Sequence, residues 1–341
     1  MNTYRALALQ LTCRTVNGAS HRSDADVIVR ESIARMGQQV AASLAFIGPD
    51  CKLVVLPEYA LTGFPMGESI EAWRTKACFA VDGPEYEALA ALAQRHAIHL
   101  CVNAYEVDAH FPALYFQASV IFGPTGSVVL RYRRLISMFA PTPHDVWTKY
   151  LDHYGLDGVF PVAKTELGNL ACIASEEILY PELARCMAVR GAEVFLHNTS
   201  EVYSAGQSPK DIGKRARAIE NLAYVVSANS AGMIGTAIPA QSVDAGSKVI
   251  DYRGLVLVDA GPGESMSAFA AVDIGALRAE RRRAGMGNLL ARQRFELYAE
   301  TYAQHSFYPP NSIGDAPLDR RHFLDTQRRT IDALVARGII A

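Results

Sequence analysis

Apolar residues recur at Val29, Ile33, Met36, Val40, Leu44 and Ile47, at intervals of 4, 3, 4, 4 and 3. That spacing is one face of an amphipathic helix. Gly48-Pro49-Asp50 follows and ends it. Shorter apolar runs flank this segment and read as strands: Tyr4–Leu11 before it, and "KLVVLPE", apolar from Leu53 to Leu56, after it. A helix is predicted to begin after Gly83-Pro84 and to lead into a strand from Ile98 to Val107. "QASVIFGPTGSVVLRYRR" reads as two strands joined at Gly123-Pro124-Thr125-Gly126, a hairpin signal.

The second half repeats this rhythm. Leu170–Ala174 is predicted as a strand, Pro181–Arg190 as a helix and "AEVFLHN" as a strand. "PKDIGKRARAIENLAYVVSAN" reads as a helix entering another strand, and "SKVIDYRGLVLVDAG" as short strands around a turn. Alternating β and α elements predict a layered α/β fold. Residues 138–158, rich in Pro, His and aromatic residues, read as a long loop. No linker divides the chain, so one large domain is expected over residues 1–279. A tail over 280–341 is expected to be helical and then irregular, with "FYPPNS" as a breaker. Phe295, Tyr298, Tyr302, Phe307 and Tyr308 in that tail predict packing on a partner subunit, because a monomer would leave them on its surface.

Composition narrows the partners. A formal net charge of −2 over 341 residues gives no electrostatic reason to expect nucleic acid. No run approaches the ~18 apolar residues of a membrane span. The N-terminal apolar run is too short and too polar-flanked for a signal peptide. Six cysteines, at 13, 51, 78, 101, 172 and 186, show no ligand spacing. They read as reduced thiols of a cytoplasmic protein, with no metal site expected.

Three places carry chemistry, each at a predicted strand end. Glu58 in "VVLPEYALTGFP" is a carboxylate that burial can turn into a general base. Its bland alternative is a solvated loop glutamate. "LRYRRLI" sets Arg131, Arg133 and Arg134 after a strand, and the plain reading of at least one is a surface basic patch. "ACIASEEILYPELAR" stops a strand on Ser175-Glu176-Glu177, which also fits a helix N-cap.

In this order and spacing the segments "VVLPEYALTGFP", "GPTGSVVLRYRRL", "ILYPELAR", "RGAEVFLHNTSE" and "RARAIENLAYVVSANSAG" resemble the carbon–nitrogen hydrolase (nitrilase) superfamily, over roughly Tyr4 to Val272. The resemblance implies a four-layer α-β-β-α sandwich that dimerises into an eight-layer assembly, and no cofactor. It implies a Glu base, a Lys at the oxyanion and a Cys nucleophile acting on an amide or nitrile carbon. Glu58 matches the base. Arg134 stands at the lysine position after "YR". Ser175, six residues before Pro181, stands at the cysteine position, and Glu177 matches the acid two residues later. The further glutamate of the family has no match, since the acids between Arg134 and Gly158 are Asp145, Asp152 and Asp157.

Cys172 is offset from Ser175 by three residues along a strand and so points to the other face. Cys186 lies a turn into the following helix. Neither is expected to replace the nucleophile. A serine hydroxyl is far less acidic than a thiol of pKa ~8.5 and needs a placed base. Arg134 keeps the positive charge but cannot release a proton. It is expected to pair with Glu58, Glu177 or an anionic ligand. His197, Asn198, Thr199 and Glu201 fall at a neighbouring strand end; together with Glu177, the first three are expected to orient a small amide or nitrile ligand. Met138, Phe139, His144, Trp147 and Tyr150 are expected over the pocket mouth. Two functions from different classes fit these residues. One is a hydrolase of small amides, nitriles or carbamoyl compounds, through Ser175 or through water activated by Glu58. The other is a binding relative that keeps the pocket without the covalent chemistry. No G-x-S-x-G elbow surrounds Ser175, which argues against a serine α/β-hydrolase.

Overall fold

A computed structural model describes residues 3–202, 208–314 and 320–341. Along the first half run β1 (Thr3–Ala8), β2 (Cys13–Arg14), α1 (Arg22–Ile47), β3 (Cys51–Val55), α2 (Ile70–Ala77), α3 (Pro84–His96), β4 (His99–Val107), β5 (Tyr115–Phe122), β6 (Val128–Arg133) and α4 (Trp147–Val159). Along the second run β7 (Ala163–Thr165), β8 (Gly168–Ala174), α5 (Pro181–Val189), β9 (Val194–Asn198), α6 (Pro209–Asn221) and β10 (Tyr224–Ala228). Then follow β11 (Met233–Ile234), β12 (Lys248–Ile250), β13 (Val256–Asp259), β14 (Phe269–Asp273), α7 (Ile274–Arg282), α8 (Glu296–Ala303) and α9 (Arg320–Ala336).

These strands form two six-stranded sheets, ordered β14-β1-β3-β4-β5-β6 and β13-β12-β10-β9-β8-β7. The sheets lie face to face, with β5 and β6 against β8 and β4 against β9. The apolar face of α1 packs with α3 on the outside of the first sheet, and α5 and α6 cover the outside of the second. The result is an α-β-β-α sandwich. Helices cover both outer faces, so strands such as β4, β5, β8, β9 and β10 are buried along almost their whole length. That explains their nearly continuous apolar runs.

Two elements differ from the sequence reading. Residues 138–158 hold a 3-10 turn at Pro143–Val146 and then α4, not a long loop. Trp147, Tyr150, Leu151 and Tyr154 sit at helical spacing and pack on the core. Gly155 breaks the helix with φ 58°, ψ −175°, and Gly155 and Gly158 obscure that spacing in the sequence. The end of the tail is also helical: α9 drives Phe323 into the core and buries Thr326. Within this chain, Asn311 bonds Thr148 and Ser312 Oγ donates to Asp145. The helix α7 crosses residue 280 and is tied to the second sheet by Arg278–Glu193. On α8, Tyr298 and Tyr302 remain exposed, with Tyr302 Oη donating to Glu182 on α5. Among the described residues no helix is long and apolar enough to cross a membrane.

Candidate active site

Parallel strands β3, β8 and β9 end on the same side of the sandwich, and ligands commonly sit beyond such carboxyl ends. Glu58 follows β3 by three residues and is fully buried. Tyr59 then turns the chain with φ 65°. Across the sheets, Glu58 N donates to Thr199 O (3.2 Å) and Ser200 N donates to Glu58 Oε2 (3.1 Å). Glu58 Oε1 accepts from Gln117 Nε2 (2.9 Å) and lies 3.4 Å from Arg134 Nη1.

Arg134 leaves the end of β6 and is pinned by nearly all of its donors. Nη1 donates to Gln117 Oε1 (2.8 Å), Nε to Ile136 O (2.7 Å) and Nη2 to Glu176 Oε1 (2.6 Å). The expected pairing with Glu58 is present, and Glu176, rather than Glu177, is the second acid.

Ser175 ends β8 in the left-handed region, with φ 53°, and opens a 3-10 turn through Leu179. Such a conformation is uncommon for a residue with a Cβ and collects at functional sites. Among the described residues its hydroxyl makes no hydrogen bond, while its carbonyl accepts from His197 Nε2 (2.8 Å).

Glu58, Arg134 and Ser175 therefore converge on one region. A cavity of ≈ 270 Å³ opens there. Gln117, Arg134, Ser175, Glu176 and Lys210 line its polar side; Tyr59, Phe64, Phe139, Met233 and Ile238 line its apolar side. Two larger clefts, of ≈ 850 and ≈ 750 Å³, lie elsewhere and contain none of these polar groups. Of the residues expected over the mouth, Met138 and Phe139 line the cavity. Tyr150 instead packs against Phe111 and Phe116, and His144 lies beside Trp147 and Tyr308.

The four residues expected to touch substrate stand behind the cavity wall. Glu177 is fully buried and clamps the Ser175 turn to the segment after Arg134. Its Oε1 accepts from Leu135 N (2.7 Å) and Ile136 N (3.0 Å), its Oε2 from Tyr132 Oη (2.7 Å) and Ala174 N (3.3 Å). Burial pushes its carboxyl up to about 7 against the pull of Arg134 and these donors. Asn198 belongs to a polar chain between the sheets: Gln117 donates to Asn103, Asn103 to Ser119, and Ser119 to Asn198, whose Nδ2 donates to Leu56 O. Thr199 Oγ1 accepts from Lys210 Nζ (3.3 Å). Glu201 pairs with Lys214.

His197 is buried with both ring nitrogens engaged. A carbonyl can only accept, so Nε2 carries the proton toward Ser175 O, and Nδ1 accepts from Ser227 Oγ at 2.8 Å. Burial, with Lys214 nearby, holds its pKa well below the usual range. A depressed folded-state value means the unfolded chain binds the proton first. Stability from this group is complete above the unfolded pKa of about 6.5 and falls as pH drops below it, by up to about 1.4 kcal/mol per pH unit. Urea unfolding at pH 7.5 and 5.5 is expected to show that loss in the native protein and a smaller one in His197→Gln. Equal slopes would contradict it.

The other arginines of "LRYRRLI" form no surface patch. Arg133 is buried against Asp108 (2.5 Å) and Glu106 (3.4 Å), and Arg131 also bonds Glu106 (2.7 Å). The Sγ of Cys172 lies 3.8 Å from that of Cys101 between the sheets and does not line the cavity, and burial raises its pKa. Cys186 is half-buried on α5. Among the described residues no three His, Cys, Asp or Glu side chains are grouped to hold a metal.

Sequence reasoning passed over Gln117, Glu176 and Lys210. Gln117 had a signal, since a polar residue inside "YFQASVIF" must find a buried partner. Lys210 had none.

Against known proteins, the model of the carbon–nitrogen hydrolases matches residues 26–282. The chain is 26% identical over 228 residues to the deaminated glutathione amidase of Yersinia enterocolitica, covering 65% of this chain and 77% of that one. It is 29% identical over 215 residues to the formamidase of Pseudomonas syringae pv. syringae, covering 62% of this chain and 59% of the formamidase, less than two thirds of its length. The carbon–nitrogen hydrolase structure from Helicobacter pylori G27 superposes with a TM-score of 0.65 at 20% identity, over 89% of this chain and 100% of that one. That last likeness bears on the fold.

Proposed function

The chain belongs to the carbon–nitrogen hydrolase family, and from that premise we propose that it hydrolyses the C–N bond of a small carboxamide with Ser175 as nucleophile. The observation that carries this reading is the hydroxyl of Ser175, unbonded among the described residues and held in left-handed backbone on the wall of the cavity that Arg134 also lines. Ser175 Oγ attacks the carbonyl carbon. Arg134 and the first N–H groups of the 3-10 turn, which lack partners inside the turn, stabilise the oxyanion that forms. Glu58 holds Arg134 and Gln117 in place from behind. The proton lost by Ser175 reaches the nitrogen as the C–N bond breaks, so that the amine leaves and an ester stays on Ser175; water then hydrolyses the ester, giving the acid and returning a proton to Ser175. The cavity sits at the small end for ligand sites, which favours a short acyl group. The relatives named amidase and formamidase support an amide, and one named a probable nitrilase is the reason nitriles enter the assay.

A second reading, a binding relative without turnover, is favoured by one feature. The guanidinium of Arg134 spends its N–H groups on Glu58, Gln117, Glu176 and Ile136 O. The two readings separate in one assay. Short aliphatic amides, nitriles and N-carbamoyl compounds are supplied to the purified protein, with ammonia release and thermal stability followed together. Ammonia from at least one carboxamide is the expected result. A ligand-induced rise in Tm with no ammonia from any compound would favour the binding relative.

A further inference from the structure

We propose that Lys210 accepts the proton of Ser175 and returns it to the leaving nitrogen, so that the site works as a serine–lysine pair; this rests on Ser175 being the nucleophile.

Placement comes first. The first turn of α6 is fixed by Ser208, whose Oγ accepts from Asp211 N (3.1 Å). One turn on, Gly213 lies against the turn that Ser175 opens: a Cβ there would stand 2.9 Å from Ile178 O. Only glycine lets the helix sit this close. Lys210 is three residues earlier, on the same side of α6, and shares the cavity with Ser175. Among the described residues its Nζ forms one hydrogen bond, to Thr199 Oγ1, and no ion pair. The neighbouring lysines differ: Lys214 is tied to Glu201 and Asp211, and Lys248 to Asp211 and Asp259.

Elimination comes second. Both oxygens of Glu58 are engaged, by Gln117, Arg134 and Ser200 N. Arg134 does not give up a proton. Glu176 is committed to Arg134 at 2.6 Å. Burial and the nearby Glu58 push the phenols of Tyr59 and Tyr105 well above their usual range, so both keep their protons. Lys210 is shifted toward its neutral form. The groups acting on it are its burial, Lys214 on its own helix and Arg134 after β6, opposed by Glu58 after β3 and Glu201 after β9. Lys210 and Ser175 line the same cavity, and lysines tuned toward the neutral form serve as bases.

The proton balance closes. Neutral Lys210 takes the Oγ proton as the C–O bond forms, and its ammonium protonates the nitrogen as the C–N bond breaks. Water then attacks the ester, giving a proton to Lys210 that returns to Ser175 as the acid departs. No further reactant is needed.

The test uses a fluorophosphonate probe, which reports serine activation without a known substrate. Full-length native protein, Lys210→Met and Lys210→Arg are labelled between about pH 6 and 10, and the modified residue is located by peptide mass spectrometry. We expect labelling at Ser175 that rises with pH in the native protein. Both variants should label about 100-fold more slowly or worse, without that rise. Lys210→Arg is decisive because it keeps the charge and lacks a releasable proton. Native-like labelling of Lys210→Arg, or of Lys210→Met, overturns the role of Lys210 and leaves the serine reading standing. No labelling of Ser175 in the native protein overturns both. Trinitrobenzenesulfonate modification of Lys210 against pH gives an answer independent of Ser175. Titration like an exposed lysine overturns the pair, and titration at lower pH supports it.

Discussion

If Ser175 is the nucleophile of an amide hydrolysis, Ser175→Ala is expected to lower kcat/KM by roughly 10³-fold or more, while the fold stays intact. The expectation follows from the geometry of one residue. The side chain of Ser175 makes no hydrogen bond among the described residues, so its removal breaks none there, and it lines the cavity with Arg134. The left-handed backbone at φ 53° strains alanine and serine alike, so the melting temperature changes little. Ser175→Cys fits the same space and supplies a better nucleophile once ionised. It is expected to retain turnover and to lose it to thiol reagents, whereas native turnover should persist because Cys13, Cys51, Cys78, Cys101 and Cys172 are buried and the half-buried Cys186 on α5 does not line the cavity. Ammonia release with and without iodoacetamide measures both. Undiminished turnover in Ser175→Ala would move the chemistry to water.

Arg134→Met destabilises the protein by about 3 kcal/mol. Glu58 is fully buried, and Arg134 is the cation the structure sets against it. Removing that cation leaves a buried carboxylate with Gln117 and Ser200 N as its remaining donors, while Gln117 Oε1 and Ile136 O lose theirs. The cost is that of an uncompensated buried charge, not of a lost contact. Glu58→Gln in the same background should therefore recover part of the stability, and the double variant should be more stable than Arg134→Met alone. Urea denaturation of Arg134→Met, Glu58→Gln and the double variant checks the order. Additive losses would mean that the two side chains do not interact.

The architecture was legible because the sandwich buries its strands on both faces, which writes them as apolar runs between helical patterns. Glu58, Arg134 and Ser175 each stand at or just past a strand end, a weak signal singly, and became legible as candidate site residues through the resemblance of their order and spacing to the carbon–nitrogen hydrolase pattern. What the sequence does not carry is the direction of a side chain just past a strand end. Extending the period of β8 would set Glu177 on the face of Ser175. The chain instead enters a 3-10 turn through a left-handed residue, so Glu176 meets Arg134 and Glu177 turns inward to Leu135 and Tyr132. His197, Asn198 and Thr199 similarly close a strand end, yet their polar atoms are consumed by Ser175 O, by the chain between the sheets and by Lys210. Lys210 lies 35 residues beyond Ser175 in no motif. It reaches the cavity only because Gly213 lets α6 close on the turn.

A covalent bond to Ser175 is the central step of the proposed reaction, and trapping that bond tests it most directly. The native protein is mixed with p-nitrophenyl acetate, quenched in acid within the first turnovers and digested, and the acylated peptide is sequenced by mass spectrometry. The predicted result is an acetyl group on Ser175 that disappears as hydrolysis proceeds and is absent from Ser175→Ala. A tryptic peptide over residues 165–185 that stays unmodified in native protein, with ester hydrolysis equal in Ser175→Ala, would contradict it.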